Sequence, residues 1–567
     1  MSRIIEYFLN NGRFSRARLE KCLTKEPAPG AAEEREVIVT EGEKLIKEGL
    51  VTEEELAKAY CLVSSRPFAN IGAMRLDKSL FELIPPETAQ KYGVVPFGED
   101  DGALRLAMKD VTDLIAIEKA AAYSGMRIKP YVAYPSAVNS ALSAAYGEKK
   151  SSLAAEDMSR DIEEAGAETE DALDDGDESS ATVRYVNSLI NRGITQGASD
   201  IHIEASEQET VARLRVDGVL RDIQTAPSVL HEAIVARVKV MGGMDVSQKR
   251  VPQDGRGTYM LDGEKTDLRI STLPAVFGEK IVIRLLRKSL PIADRGAIGL
   301  TKENAAVYEK MLRNKSGLIL LSGPTGSGKS TTMLTMIKTL NSRDINIITL
   351  EDPVEYNVEG ITQVQINEKT GMTFPAALRA SLRQDPDVIC VGEIRDEQTA
   401  QIAVRAAITG HLVISTIHTS DAPGAVERLR DMGVESYLAA SALRGVISQR
   451  LVRKLCPYCR RKTAPDDAEK KLFERWNIDP PNAVFRAAGC QRCFNLGYSG
   501  RKGVFELLLT DGRLSEMIAA GDSARALRTE AEKTEGFERM PGSCLALAAA
   551  GETSLEEVGR VMSLSDW

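Results

Sequence analysis

The sequence predicts a multidomain α/β protein: a phosphate-binding α/β core, an α+β domain before it, and a mainly helical plus mixed N-terminal region. Three observations predict it. A glycine-rich loop, GPTGSGKS at 323–330, lies between a short apolar strand, GLILLS, and a stretch of helical spacing, KSTTMLTMIKTL. Strands and helices alternate from about residue 291 onward, as in α/β domains. Finally, 567 residues exceed what one hydrophobic core supports, so roughly three or four domains are expected.

The N-terminal region, residues 1–147, carries a repeat. Residues 8–23 (FLNNGRFSRARLEKCL) align with 45–60 (LIKEGLVTEEELAKAY): two apolar residues, a glycine at the fifth position, and Leu19 or Leu56 at the twelfth. Ser15 or Thr52 follows the turn as a helix N-cap candidate. Each copy therefore reads as helix, glycine stop, capped helix. Residues 80–147 read as a compact mixed domain. YGVVPFGEDDGALRLAMKD alternates around a turn as a hairpin does, and TDLIAIEKAAAYSG has helical spacing.

Charge divides the chain next. Residues 151–180 hold twelve acids and one base, Arg160, a net of −11 within a total of −9, so the remainder is +2. The stretch has no aromatic residue and too few apolar ones to offset the entropy of ordering, and 148–180 reads as a flexible linker. The near-neutral body supplies no general field for nucleic acid. Apolar content of 43% and charged content of 27% are those of an ordinary soluble protein. There is no apolar run of spanning length and no signal-peptide pattern at the start. The expectation is a cytoplasmic protein, brought to any membrane by protein contacts.

Residues 181–290 read as the α+β domain. TVARLRVDGVLRDI gives two strands about a turn at Asp217–Gly218; EAIVARVKVMGGMDV has helical period; DLRISTLPAVFGEKIVIRLL reads strand, loop, strand. The core domain follows, 291–567.

Its chemistry starts at the glycine-rich loop. Gly323, Pro324, Thr325, Gly326, Ser327, Gly328, Lys329, Ser330 and Thr331 have the spacing of a P-loop in the strand–loop–helix context that the motif requires. Backbone N–H groups and the helix N-terminus attract phosphate oxygens. Lys329 would reach the β- and γ-phosphates, and Ser330 would help hold Mg²⁺. Hydrolysis also needs an oriented water. INIITLEDPVEY (345–356) is an apolar strand ending in Glu351, Asp352 and Glu355. DPDVICVGEIRD (385–396) ends at Glu393, where a strand beside the P-loop strand would carry a Mg²⁺-coordinating acid. GHLVISTIHTSDA (410–422) is a third strand, bracketed by His411 and His418. Singly, each of these is as readily a solvated acid or a satisfied histidine; three in succession after a P-loop point to a nucleotide site.

These stretches resemble the boxes of the ATPase family that drives type II secretion and type IV pilus assembly. GPTGSGKST is similar to its Walker A box, ITLEDPVEY to its aspartate box, ICVGEIRD to its atypical Walker B box, and GHLVISTIHTSDA to its histidine box. GASDIHIE (197–204) and RLRVDG (213–218) resemble the domain before the motor. The resemblance is dense over about 181–510 and looser before it. It implies a RecA-like ATPase core, a PAS-like α+β domain and a hexameric ring. It implies that Glu355 polarises the attacking water, that Glu393 acts through Mg²⁺ and its water, and that His418, with His411, senses the γ-phosphate or lines a subunit boundary. It implies arginine fingers at Arg269 (DLRIST) and Arg284 (IVIRLL), otherwise plain strand-surface charges. ATP, Mg²⁺ and Zn²⁺ are the implied cofactors.

The zinc reading also stands on spacing. Cys456–Cys459 (CPYC) and Cys490–Cys493 (CQRC) are two knuckles that can present four thiolates to a structural zinc. A redox pair would not explain two knuckles. The basic RLVRKLCPYCRRK reads as a solvated or docking face rather than a nucleic-acid ribbon. Cys22, Cys61, Cys390 and Cys544 read as small apolar residues. The resemblance implies that the family's assembly and secretion members carry such a tetracysteine insertion and a long N-terminal region, and both features favour that branch for this chain. The partners implied are an inner-membrane platform protein and a membrane-anchored docking protein. The twin N-terminal motifs resemble a domain that binds cyclic di-GMP in some members. The first copy begins Arg3-Ile4-Ile5 and ends near Glu26, the second begins Thr40-Glu41-Gly42 and ends near Val63, so neither keeps Arg-Leu-Gly with a closing Gln. Docking is expected there rather than that nucleotide. Two other functions stay open at this stage: a P-loop ring acting on nucleic acid, and a nucleotide-sensing regulatory module.

Overall fold

The computed structural model describes residues 3–11, 13, 40–47, 49–74, 76–142, 145–146, 180–261, 263–287, 298–534 and 536–562. Ser15, Leu19, Cys22, Glu26 and all of the acidic stretch except Ser180 lie outside the described residues. Two compact units result. The first holds residues up to 288 with 456–460 and 487–498; the second holds 289–455, 461–486 and 499 onward.

In the first unit the second repeat copy is helix Glu41–Lys47, a turn with Gly49 at positive φ, and helix Glu53–Ser64. Thr52 caps that helix in a reciprocal box with Glu55. The next domain has β1 (Val94–Asp100), β2 (Ala103–Met108) and β3 (Arg127–Val132) in that order. β1 and β2 form the expected hairpin. β3 runs parallel to β2 after helix Leu114–Ser124, which is capped by Asp113.

The α+β domain is one sheet of β4 (Ala198–Ala205), β5 (Glu209–Val216), β6 (Val219–Pro227), β7 (Gln253–Leu261), β8 (Glu264–Ala275) and β9 (Gly278–Arg287). The strand order is β6-β5-β4-β9-β8-β7, antiparallel throughout. Helices Ala181–Thr195 and His231–Gly242 share one core with the sheet, through Tyr185, Leu189, Ile234 and Val238 against Ile201, Leu214 and Ile283. The turn at Asp217–Gly218 is as read. The loop read between β8 and β9 is only Val276–Phe277, and β7 was not read at all. Its QDGRGTYML alternates glycine with polar residues and carries little apolar signal.

The second unit is built on β10 (Gly317–Ser322), β11 (Ile347–Glu351), β12 (Thr362–Gln365), β13 (Val388–Val391), β14 (Leu412–Ile417), β15 (Leu443–Leu455) and β18 (Tyr498–Leu509). The strand order is β12-β11-β13-β14-β10-β15-β18, and β10 to β15 pair in parallel. β16 (Arg461–Thr463) and β17 (Val484–Arg486) form a separate small ribbon. β10, β13 and β14 are buried along their whole length, as parallel strands covered on both faces must be. Parallel order puts all their C-terminal ends on one edge, where open α/β sheets bind ligands.

Candidate functional site

The glycine-rich loop leaves β10 at that edge and enters helix Lys329–Leu340. Gly323 has φ 143°, and a Cβ there would stand 2.4 Å from the Gln449 carbonyl oxygen and 2.7 Å from Ser327 Oγ. Gly328 has φ 92°, and its Cβ would meet Gln449 Nε2 at 2.9 Å. Only glycine lets the loop lie this close to β15. Gln449, buried on β15, donates from Nε2 to the Ser327 carbonyl at 2.8 Å. Lys329 Nζ folds back onto the carbonyls of Gly323 (2.6 Å) and Pro324 (3.0 Å). Burial pushes its pKa down to about 8, against the pull of Glu393. Ser330 and Thr331 are exposed at the helix start.

Glu393 stands two residues past β13 and His418 one residue past β14. His418 Nε2 lies 3.8 Å from Glu393 Oε2, and Arg395 Nη2 lies 2.5 Å from Glu393 Oε1. Burial lowers the His418 pKa, Lys329 lowers it further, and Glu393 opposes both. Ser322, the last residue of β10, bonds the Thr419 hydroxyl and carbonyl, which ties the histidine loop to the P-loop strand. The strand carrying Glu393 does not adjoin the P-loop strand, as the sequence reading had it. β14 lies between them, so His418 sits where direct adjacency was expected.

Glu355 is exposed on the loop between β11 and β12. β11 is the third strand from β10, about 14 Å away at about 4.8 Å per strand. The structure thus gathers Lys329, Glu393 and His418, and sets Glu355 on the same edge but further out. His411 is placed elsewhere. It precedes β14, at the opposite end of a six-residue strand, about 20 Å from the P-loop edge. There its Nδ1 lies 3.0 Å from the Ala406 carbonyl oxygen and its own carbonyl accepts from Gly317 N–H at 3.0 Å. It closes a helix end and is no part of the nucleotide edge.

In the first unit Arg269 and Arg284 are direct cross-strand partners on β8 and β9. The row continues to Arg256 on β7 one way and to Asp200 and Arg215 on β4 and β5 the other. Arg284 Nε donates to Asp200 Oδ1 at 3.0 Å. Directly paired residues share a sheet face, so this face presents four arginines around one aspartate. Arg256 and Arg215 were missed by sequence, because only strand register shows that they align.

The four cysteines close into one cluster, with all sulfurs within 4.8 Å of one another. Cys456–Cys490, Cys459–Cys493 and Cys490–Cys493 are separated by 3.9, 3.8 and 3.7 Å. Zinc–sulfur bonds of about 2.3 Å in a tetrahedron put sulfurs about 3.8 Å apart, so the thiols fit that metal. Cys493 Sγ also accepts from the N–H groups of Cys490 (3.3 Å) and Gly497 (3.2 Å).

Residues 175–560 match the family described as Type II/IV secretion system protein. The chain belongs to that family. The Type II secretion system ATPase E of Vibrio cholerae is 46% identical over 394 residues, 70% of this chain and 78% of the relative. The Type IV pilus assembly ATPase PilB of Myxococcus xanthus is 38% identical over 527 residues, 91% of this chain and 92% of the relative. The X-ray structure of the Legionella pneumophila ATPase DotB aligns at 19% identity and a TM-score of 0.49, over 66% of this chain and 94% of that one. Residues 64–152 match the MshEN domain. As a member of the secretion family, the chain is an ATP hydrolase. The P-loop edge lies inside the matched span, and so do the four cysteines.

Proposed function

We propose that this secretion-family ATPase is a homo-hexameric motor that drives type II protein secretion or type IV pilus assembly at the cytoplasmic face of the inner membrane. The observation that carries the reading is the convergence of Lys329, Glu393 and His418 at the P-loop edge of one parallel sheet. In this reading residues 323–331 hold the ATP phosphates, and Ser330 with Glu393 holds Mg²⁺, directly or through water. Magnesium would neutralise charge on the transferred phosphoryl group. Glu355 orients the attacking water. His418 can donate a ring N–H hydrogen bond to a γ-phosphate oxygen. Arg269 and Arg284 supply charge from the domain before the motor. Zinc in the cysteine cluster is structural, since four thiolates leave no open position.

The domain division follows the same reading: 1–147 docks, 148–180 tethers, 181–290 supplies arginines and 291–567 hydrolyses ATP. An inner-membrane platform protein and a membrane-anchored docking protein are the partners. No helix among the described residues is long and apolar enough to cross a membrane. The motifs at 3–26 and 40–63 lack the Arg-Leu-Gly starts and closing Gln of the cyclic di-GMP-binding form, but residues 64–152 match the MshEN domain, which binds that nucleotide in relatives, so cyclic di-GMP is a candidate ligand of the N-terminal region.

The test is phosphate release by the purified chain and by Glu355→Gln, with and without Mg²⁺, recording oligomer size in parallel. We expect Mg²⁺-dependent turnover by a hexamer, and its loss in Glu355→Gln with ATP still bound. Equal rates in both would remove Glu355 from the mechanism and pass its role to Glu393. Absence of turnover in assembled hexamers of the unaltered chain would sink the motor reading.

A further inference from the structure

We infer that Gln363 and Gln365 are positioning residues: their side chains on β12 fix the loop that carries Glu355, and thereby set where its carboxylate stands along the nucleotide edge. This rests on the reading of Glu355 as the group that orients the attacking water.

β12 is the outermost strand of the sheet and pairs only with β11 among the described residues. Side chains alternate along it. Val364 turns inward and packs against the core, whereas Gln363 and Gln365 share the other face. That face meets the 352–361 loop. Gln363 Nε2 donates to Glu351 Oε1 and to the Tyr356 carbonyl, both at 2.9 Å, and its Oε1 accepts from Val358 N–H at 2.8 Å. Gln365 Oε1 accepts from Val354 N–H at 3.1 Å. The backbone is therefore gripped at 354, 356 and 358, on both sides of Glu355.

A loop has no ladder to satisfy its own N–H and C=O groups, so side chains or water must do it, and only side chains also fix its position. The site specifies which side chain. Gln363 has to donate twice and accept once within one group, and to donate toward a carboxylate. A primary amide offers this without charge. A carboxylate there could accept from Val358, but it could not donate to Tyr356 and would repel Glu351. Glu351 is itself fixed by the Thr349 hydroxyl at 2.7 Å, which anchors the clamp to buried β11. The P-loop is not part of this network. Loss of the clamp should therefore misplace Glu355 and leave nucleotide binding alone. A shift of about 1 Å in a catalytic group can cost about 10²-fold in rate.

The experiment measures kcat, KM for MgATP and nucleotide affinity on assembled full-length chains carrying Gln363→Leu, Gln365→Leu, Gln363→Glu or Glu355→Gln. Gln363→Leu is expected to lower kcat by about 10²-fold with KM and nucleotide affinity unchanged. Gln363→Glu should fail to rescue, and Gln365→Leu, losing one bond, should show a smaller fall in kcat alone. Combined with Glu355→Gln, Gln363→Leu should cost nothing further in single-turnover rate, because both act through one carboxylate. Unchanged kcat in Gln363→Leu overturns the inference, as does a rise in KM without loss of kcat, or an additive loss in the double variant. If Gln363→Leu does not assemble, Gln365→Leu decides: a wild-type kcat there overturns it. Wild-type turnover by Glu355→Gln sinks the reading beneath. An inactive Glu355→Gln beside a fully active Gln363→Leu sinks the positioning role alone.

Discussion

Glu557 is fully buried and yet keeps its charge. Burial alone would raise its pKa, but hydrogen bonds from Arg560 and Arg453 outweigh it and hold the carboxyl below the ordinary 4.5. Arg453 bonds it through Nε (2.9 Å), Nη2 (2.7 Å) and its backbone N–H (3.0 Å), and Arg560 through Nε (2.8 Å) and Nη2 (2.6 Å). The Arg453 contacts fasten helix Leu555–Val561 to β15, while Arg560 closes an i,i+3 pair within the helix. Because the folded pKa is lowered, the stabilisation is complete above the unfolded value and is lost as pH falls through the folded one. Glu557→Gln is expected to destabilise the second unit by about 3 kcal/mol at pH 7, since the half-buried Arg453 guanidinium loses its charged partner while the exposed Arg560 is screened by water. Denaturant unfolding across pH 3–7 checks it, and the difference from the unaltered chain should shrink as pH drops below about 4.5. At this scale the sequence was legible where chemistry demands a residue type at fixed spacing: Lys329, Glu393, His418 and the four cysteines. It was silent on Gln363, Gln449 and Arg256. Their roles depend on which strand lies alongside, and no local spacing encodes that.

Elements were legible in proportion to their apolar period. Helix Lys329–Leu340 and strands β11, β13 and β14 fall where the pattern put them. β7 escaped because its edge position asks little apolar surface of it. The order β13-β14-β10 was beyond reach for another reason: buried parallel strands are similar apolar runs, and nothing in one run names its neighbour. One residue shows how such elements are joined. Glu506 on β18 is 3% exposed and accepts from Ala422 N–H at 2.9 Å and Met540 N–H at 3.3 Å. Those are the first residues of helices Ala422–Asp431 and Met540–Ala549. One carboxylate thus serves two helix N-termini, where negative charge is favoured. Glu506→Gln keeps the shape but turns one acceptor oxygen into an NH2 donor, so one of the two helix N–H groups loses its acceptor. We expect a loss of about 1–2 kcal/mol, read as a lower urea midpoint with an unchanged slope.

At the scale of the whole molecule, the cysteine knuckles act far from their place in the sequence. Residues 487–498 belong to the first unit although they lie between motor strands β15 and β18 in the chain. Arg492, between the last two cysteines, is 8% exposed in its side chain and bonds Glu53 and Ser136 of the N-terminal region. Its guanidinium lies 3.7 Å from the Tyr458 ring centroid and 4.6 Å from that of Tyr134. On the other side of the knuckle, Arg221 of β6 donates to the Phe494 carbonyl at 3.1 Å. A knuckle formed by four converging cysteine sulfurs therefore links the N-terminal region to the sheet that carries the arginine row. A cation stacked on two rings and paired with a carboxylate contributes more than a surface pair, since its partners are shielded from water. Metal should be what shapes this link, because a stretch of this length has too little apolar surface to fold alone. Two treatments should then give one signature. Arg492→Ala and zinc removal by a chelator should both speed amide hydrogen exchange at residues 53–60 and 134–137, while β10 and β14 keep their protection. Metal removal should also speed exchange at 490–497, which Arg492→Ala with zinc still bound should leave slow. Unchanged exchange at 53–60 in both treatments would show that the N-terminal region holds its place without the knuckle.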